Sequence, residues 1–387
     1  MPAPPRRTLP TVGEDLAKVQ QHFANFAQGH AHLPLYHRIS AAAARDDEVA
    51  ALLLAARPGQ ARPVLLLAAL HDLVLRRPDL PAARWYASVV GRETLPTGDP
   101  WPEVRTTVLD HRDELTEVIA TRTTQTNEVN RTVYLTAGLT RAAAGLPDTP
   151  LALVELGASA GLLLALDRFN TALTRDDAPS TRYGDPASPV RCGGEDRSPT
   201  PLGLAIPPIA SRAGLDLDPV DLHDAKAVRW LEACLWPDVA GRVERFSAAV
   251  GLVRSTPPPV VRGDLVDDLA EVVGNHAGDP NTHLVVYTSW SLTYVDKARR
   301  PAVAQTLARL AASGRPVSWL TAEPAGCVPG IPALQAGLDD DSTVLGLRTW
   351  RHGHERTPAV LGTAHPHGER VCLTPWNRPS TDGVQEP

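Results

Sequence analysis

The sequence predicts an α/β protein: a doubly wound, mostly parallel seven-stranded sheet with a C-terminal antiparallel hairpin, preceded by an all-helical subdomain. Three observations predict it. Residues 13–147 carry apolar stripes at helical spacing and no strand pattern. From Leu151 onward, short apolar runs alternate with helical stretches, as crossover-connected parallel strands require. Several of these runs end in a carboxylate, at the edge of the sheet where open α/β proteins bind ligands.

In the first third, Leu16, Val19, Phe23 and Phe26 fall on one helical stripe, and Glu48 to Arg57, Val64 to Arg76, Leu80 to Val90 and Val104 to Thr121 follow as helices bounded by Pro, Gly or Asp. His71-Asp72 reads as a helix-face pair rather than a general base. The last helix of the subdomain is expected to carry Gln125-Thr-Asn-Glu-Val-Asn-Arg131, with Asn127, Asn130, Arg131 and Tyr134 on one side. Such a stripe of amides and a guanidinium suits a carboxylate or carbonyl, and equally a solvated face with a Glu128–Arg131 pair.

Leu151–Leu156 reads as a buried strand, and Gly157-Ala-Ser-Ala-Gly161 turns it toward a helix from Leu162. Glycines there permit positive φ and leave no Cβ between backbone and ligand, while Glu155 puts a carboxylate where a plain core strand carries Val. The stretch also spells G-x-S-x-G, which would make Ser159 a nucleophile, but no convincing strand precedes Leu151. A dinucleotide fingerprint fails because Leu162 or Leu163 stands where a third Gly or Ala belongs. A tight turn with no ligand is the remaining alternative.

Beyond it, residues 176–208 are Pro/Gly/Ser-rich and read as an irregular insertion, a hairpin or lid. Ala213 to Asp218, Val260-Val-Arg-Gly-Asp264-Leu265, His283 to Trp290 and Val317 to Glu323 are the next strands; Ser342–Trp350 and Thr357–Thr363 close the sheet as a hairpin. Glu155, Asp216, Asp264 and Thr288–Ser289 then all fall at strand exits. The domains expected are a tail at 1–12, the helical subdomain at 13–147, the sheet domain at 148–375 and a tail at 376–387.

Composition narrows the partners. With a formal net charge of −6, nothing is built to track a phosphate backbone, so no nucleic acid is expected. Cys192, Cys234, Cys327 and Cys372 lie far apart, which argues against a zinc knuckle or disulfide scaffold and suits a reducing cytoplasm. The start lacks a signal peptide's apolar core and no apolar run reaches spanning length, so no membrane is expected. His352-Gly-His354 and His365-Pro-His367 lack a Cys or acidic partner at set spacing, so no metal is expected either.

Gln125–Arg131, Val154–Leu162, Arg212–Pro219, Trp230-Leu with Trp236-Pro237, and Gly263-Asp264 resemble a bacterial family known only as a domain of unknown function, over nearly the whole chain. The layout is separately similar to the Rossmann-like class I S-adenosylmethionine-dependent methyltransferases. That resemblance implies cofactor binding by Glu155, Gly157, Ala158, Ser159, Gly161, Asp216, Asp264, Leu265, Thr288 and Ser289. A small-molecule acceptor would be oriented by Asn127, Asn130, Arg131, Tyr134 and Trp290, with Glu128 or Glu323 accepting the proton. Two departures stand out: the long gap from Gly161 to Asp216, and Thr288-Ser-Trp-Ser291 in place of the Asn/Asp-Pro-Pro-aromatic signature of amino methylation. A non-catalytic Rossmann-like binding protein and a serine hydrolase using Ser159 are the alternatives.

Overall fold

A computed structural model describes residues 12–203, 205–333 and 342–375; apart from Val12, the expected tails lie outside them, as does the Asp339-Asp-Asp341 run, expected as a solvated loop. In chain order the helices are α1 (Val12–Gly29), α2 (Pro34–Ala43), α3 (Asp47–Ala51), α4 (Pro63–Arg76), α5 (Ala87–Val90), α6 (Trp101–Asp110), α7 (Arg112–Thr121), α8 (Thr132–Ala143), α9 (Ala225–Ala233), α10 (Arg242–Arg254), α11 (Leu269–His276) and α12 (Pro301–Ala311). The strands are β1 (Leu151–Leu156), β2 (Asn170–Thr174), β3 (Thr181–Tyr183), β4 (Arg191–Asp196), β5 (Ile209–Asp216), β6 (Val260–Arg262), β7 (His283–Ser289), β8 (Val317–Pro324), β9 (Thr343–Arg351), β10 (His354–Glu355), β11 (Ala359–Ala364) and β12 (Arg370–Leu373).

The chain divides into two compact units. One comprises Met1–Asn127 with Asp224–Glu244, the other Glu128–His223 with Arg245–Pro387. The helical unit therefore ends at Asn127 rather than at 147, and it takes in α9 from far along the chain. Hydrophobic burial explains that recruitment: Trp230 and Ala233 of α9 join the core of Phe23, Tyr36, Leu67, Tyr86 and Ile119. Local signals set the helix starts, with Pro in the first turn of α2 and α4 and the Asp46 side chain accepting from Val49 N to cap α3. His71 is fully buried, with Nδ1 on Ala233 O and Nε2 on Ser88 Oγ, and burial pushes its imidazole down to about 4. It is a satisfied core residue.

The second unit is a mixed α/β body with a 12-stranded sheet in the order β3-β2-β4-β12-β11-β9-β8-β7-β1-β5-β6, with β10 paired to β9. Its parallel part is β6-β5-β1-β7-β8; β9 runs antiparallel to β8, and β11 antiparallel to β9. All seven expected strands are present, but five more extend the sheet, so a seven-stranded count is too small. The region expected to be an irregular insertion supplies β3 and β4, and with β2 just before it they continue the sheet beyond β12. Short strands with mixed burial, such as the polar Arg191–Asp196, have no clean two-residue period to betray them.

Every residue of β1 and β7 is buried, so both faces of the sheet are covered there. On one face Val154, Val286 and Trp319 pack with Leu269 and Val273 of α11 and Val303 and Leu307 of α12. On the other lies α8, where Gly138 lets Leu320 approach to within 2.7 Å of the position a Cβ would take. Chain order reverses between β1 and β7: β5 and β6 lie on one side, β7 and β8 on the other. That reversal opens a crevice at the strand exits in sheets of this kind.

Trp319 is wholly buried in the α11–α12 core. Trp319→Ala is expected to cost about 3–5 kcal/mol in urea unfolding. A loss under about 1 kcal/mol would contradict this packing.

Candidate functional site

Register brings the exits of four parallel strands into line: Leu156 of β1 pairs with Leu215 of β5 and with Thr288 of β7, and Thr288 pairs with Thr321 of β8. The bend after β1 is built on positive φ at Gly157 (83°), Ser159 (51°) and Gly161 (68°). Asp216, leaving β5, clasps it. One carboxylate oxygen accepts the Ser159 N–H at 2.7 Å and the other accepts the Asp218 N–H at 2.8 Å. Behind the bend the expected α-helix is a 3₁₀ segment, Leu162–Arg168, kinked at Ala165, so no α-helix N-terminus faces this site.

From the other side Ser291 closes on the bend. Its hydroxyl donates to Leu156 O at 2.5 Å, and a Cβ on Gly157 would sit 2.3 Å from the Ser291 Cβ. Ser291 is held in turn by Glu323 at the end of β8, whose Oε1 accepts the N–H of both Ser291 and Leu292 at 3.1 Å. Trp290 between them has φ 58°, with Nε1 on Thr343 Oγ1. Among the described residues three non-glycines have positive φ, and two of them, Ser159 and Trp290, stand at the exits of neighbouring strands. Strain placed like this marks positions that the surroundings over-determine.

Two buried acids flank the reversal. Burial pushes Glu155 up to about 8; the Asp216 charge adds to this, while the Tyr287 hydroxyl, donating at 3.3 Å, and Arg131 oppose it. Burial likewise raises Glu323 to about 7, against the Leu292 and Ser291 amides, Thr288 and Arg131. Tyr134, raised by burial to about 12, shares a 2.8 Å hydrogen bond with Ser289 Oγ. Beneath Glu155 the pair Arg212–Asp167 and Tyr287 complete a polar layer that the sequence reading did not single out. Tyr287 was the available signal, a hydroxyl inside an otherwise apolar strand.

The other expected site residues part company. Asp264 is turned to Arg299, which makes two hydrogen bonds to its carboxylate, while Val266 N and Asp267 N also donate to it. Partial burial raises its pKa, but these partners outweigh it and leave it below the usual range. Leu265 is buried in the core beside α11. Neither reaches the bend. Ala158 does, its Cβ lying over Gly214.

Arg131, Asn130 and Tyr134 are buried around the exit of β7, but their polar atoms are committed to protein. Asn130 donates to Gly193 O and His367 O and accepts from Gly193 N, while Arg131 donates to Ser289 O and Pro366 O. Glu128 accepts from Asn130 N and lies 3.5 Å from Arg245 Nη1. Asn127 is not on a common helical face with them: Val129–Arg131 is a 3₁₀ turn, α8 begins at Thr132, and Asn127 belongs to the helical unit. Thr288 is fully buried, Ser289 nearly so, and Glu323 is sealed at 0 % exposure, which takes it out of reach of any acceptor's proton.

The profile of a family described as an uncharacterised protein conserved in bacteria (DUF2332) matches residues 20–372. The chain belongs to this family. No curated protein matches it. Among the described residues of this DUF2332 member, no group of three His, Cys, Asp or Glu is placed to hold a metal ion, and no helix is long and apolar enough to cross a membrane.

Two outcomes follow. Gly157→Ala combines a strained φ with a clash on Ser291 and is expected to cost about 2–5 kcal/mol in thermal or urea unfolding; a neutral effect would refute the contact. For Glu155 the folded pKa is about 8 against 4.5 for the free group, so folding takes up a proton between those values. Wild-type stability is lost as pH rises through that window, and the loss is complete above it. Glu155→Gln is therefore expected to match wild type near pH 4 and to exceed it by on the order of 3–5 kcal/mol at pH 9, in unfolding curves across pH.

Proposed function

We propose that the protein is a methyltransferase of the S-adenosylmethionine-dependent kind, acting on a small molecule, with the site at the strand-order reversal. The observation that carries the reading is Asp216 clasping the Gly157–Gly161 bend beside buried Glu155, where β1 and β7 part. The strand order β6-β5-β1-β7-β8, with antiparallel β9 next and β11 beyond it, supports a Rossmann-like placement of that bend.

Charge discriminates among nucleotide cofactors. Without an α-helix start behind the bend, and with Arg131 committed to carbonyls, little here welcomes a pyrophosphate. Asp216 and Glu155 instead favour a ligand that brings hydroxyl and ammonium donors and a positive centre, and each Asp216 oxygen keeps a lone pair beyond its backbone partner. The residues present fit such a cofactor at the bend; Asp264 does not contribute. When bound, S-adenosylmethionine supplies the electrophilic methyl group. Leu217 and Tyr294, 62 % and 76 % exposed on the loops after β5 and β7, offer apolar surface on either side of the bend.

One observation favours a second reading, a binding protein without chemistry: Glu323 is sealed and Glu128 is buried against Asn130 and Arg245, so neither acid offers itself as a base to an acceptor.

Calorimetry and thermal shift with S-adenosylmethionine and S-adenosylhomocysteine test the proposal. Binding is expected, weakened about tenfold or more by Asp216→Asn and unaffected by Asp264→Asn. Absence of binding by either ligand at millimolar concentration sinks it, and binding without turnover over a broad acceptor panel selects the second reading.

A further inference from the structure

The end of β8 carries a second, separate piece of information. Glu323 Oε2, Thr288 Oγ1 and Thr321 Oγ1 are all buried, and none makes a hydrogen bond of good geometry among the described residues, although the Thr288 hydroxyl lies close enough to the Glu323 carboxyl to act on it. They are neighbours: Thr288 and Thr321 are register partners on adjacent parallel strands, and Glu323 lies two residues beyond Thr321 on the same face. Each of the three side chains is wholly buried. Three orphaned polar tips in one dry patch are costly unless they satisfy one another. A proton on Glu323 lets them do so. Its Oε2–H then donates to Thr288 Oγ1, the Thr288 hydroxyl is free to donate onward to Thr321 Oγ1, and Oε1 keeps the Ser291 and Leu292 amides.

We propose that Glu323 is a positioning residue that works as a neutral acid, latching the loop after β7 onto the β1 bend through Ser291, with its proton shared to Thr288. Loss of that proton leaves a carboxylate in a site without solvent, and the latch loosens. The groups facing it are few: Arg131, Tyr134 of α8 and Cys327 in the segment after β8. Of these, Arg131 gives one Nη1 N–H to Ser289 O and its Nε N–H to Pro366 O, and it acts on Glu323 through its charge and not through a hydrogen bond. Burial, the largest influence on Glu323, acts in the same direction as the hydrogen-bond count. The loop so held includes Trp290 in its left-handed conformation, and Ser291 is the residue whose hydroxyl reaches Leu156 O and whose Cβ abuts Gly157. Glu323 thus reaches the bend through one intermediary.

Hydrogen exchange over residues 288–294, corrected for the intrinsic pH dependence, reads the latch directly on the intact chain. Protection of the Ser291 and Leu292 amides in wild type is expected to fall about tenfold between pH 6 and 8.5. In Glu323→Gln, whose amide can both accept those N–H groups and donate to Thr288, protection is expected to stay level across the same range. Glu155→Gln, run alongside, separates the titration of that neighbouring acid. Thr288→Val decides who donates: losing an acceptor for Oε2–H lowers the midpoint of the wild-type transition, whereas losing a donor to a carboxylate raises it. A midpoint that rises, protection independent of pH in wild type, or the same transition in Glu323→Gln overturns the proposal. The consequence for ligand rests on the function proposed above, and S-adenosylhomocysteine is its probe: the thermal shift it gives wild type should decline over the pH range where protection is lost and persist in Glu323→Gln. Failure of S-adenosylhomocysteine to shift either protein counts against the methyltransferase reading alone, because the exchange measurement needs no ligand.

Discussion

A single buried carboxyl group, that of Glu323, orders the exits of the central strands. Taking two backbone N–H groups at once, it fixes a loop that would otherwise be free to choose among conformations, and that loop carries Ser291 into the van der Waals gap that only glycine leaves at position 157. From the opposite side Asp216 does the same for Ser159. The bend is therefore clamped between two acids on different strands, β8 and β5, neither of which neighbours the other in the sheet. Its geometry is a property of the whole parallel core and not of its own glycines. That is why a pentapeptide with so much intrinsic freedom settles in one conformation.

How much of this was legible follows from the range of each interaction. The strands β1, β7 and β8 announced themselves by apolar runs of the right length, β5 and β6 only by a short apolar stretch before an acid, with β5 beginning at Ile209 and not at Ala213, and α1 and α4 by their stripes, because periodicity is local. The partner of a polar side chain is not. Asp264 looked like a cofactor ligand at a strand exit until Arg299, 35 residues later, took both its oxygens. Asn130 looked like a substrate amide, but its donors and acceptor are spent on Gly193 and on His367, 237 residues away. Tyr287 and Ser291, which do shape the site, sat in the sequence as an ordinary strand residue and an ordinary loop serine. The helix read after Gly161 failed for another reason: five consecutive apolar residues satisfy burial in a 3₁₀ turn as well as in an α-helix, and the kink at Ala165 is set by packing.

The distribution of backbone strain points to the same region. Left-handed Ser159 and Trp290 stand at the exits of β1 and β7, and the tips of Thr288, Thr321 and Glu323 lie together toward the exits of β7 and β8, although buried polar atoms without a partner also occur elsewhere, Trp319 Nε1 in β8 and Tyr36 and Tyr86 in the helical core among them. Proteins remove such costs by substitution when nothing opposes it, since a Val at position 288 or a Gly at position 290 would relieve them at once. Two left-handed non-glycines on neighbouring strand exits argue that the conformation of this rim is imposed by its surroundings.

What it does is constrained by sign as much as by shape. Glu155, Asp216 and Glu323 bring acid groups to the rim, while Arg131 and Arg299 are tied to carbonyls and to Asp264. An anionic ligand placed against the bend would meet Asp216 with no compensating guanidinium and no α-helix start behind it, and at ordinary internal dielectric that repulsion outweighs the backbone hydrogen bonds the bend has left to offer. A cationic or donor-rich ligand meets the reverse. Burying its positive centre beside Glu155 would draw that carboxyl toward ionisation, because a nearby cation favours the charged form just as the Asp216 charge now disfavours it. Binding would then release a proton, and the cost Glu155 imposes on the folded chain would become part of the affinity for its ligand.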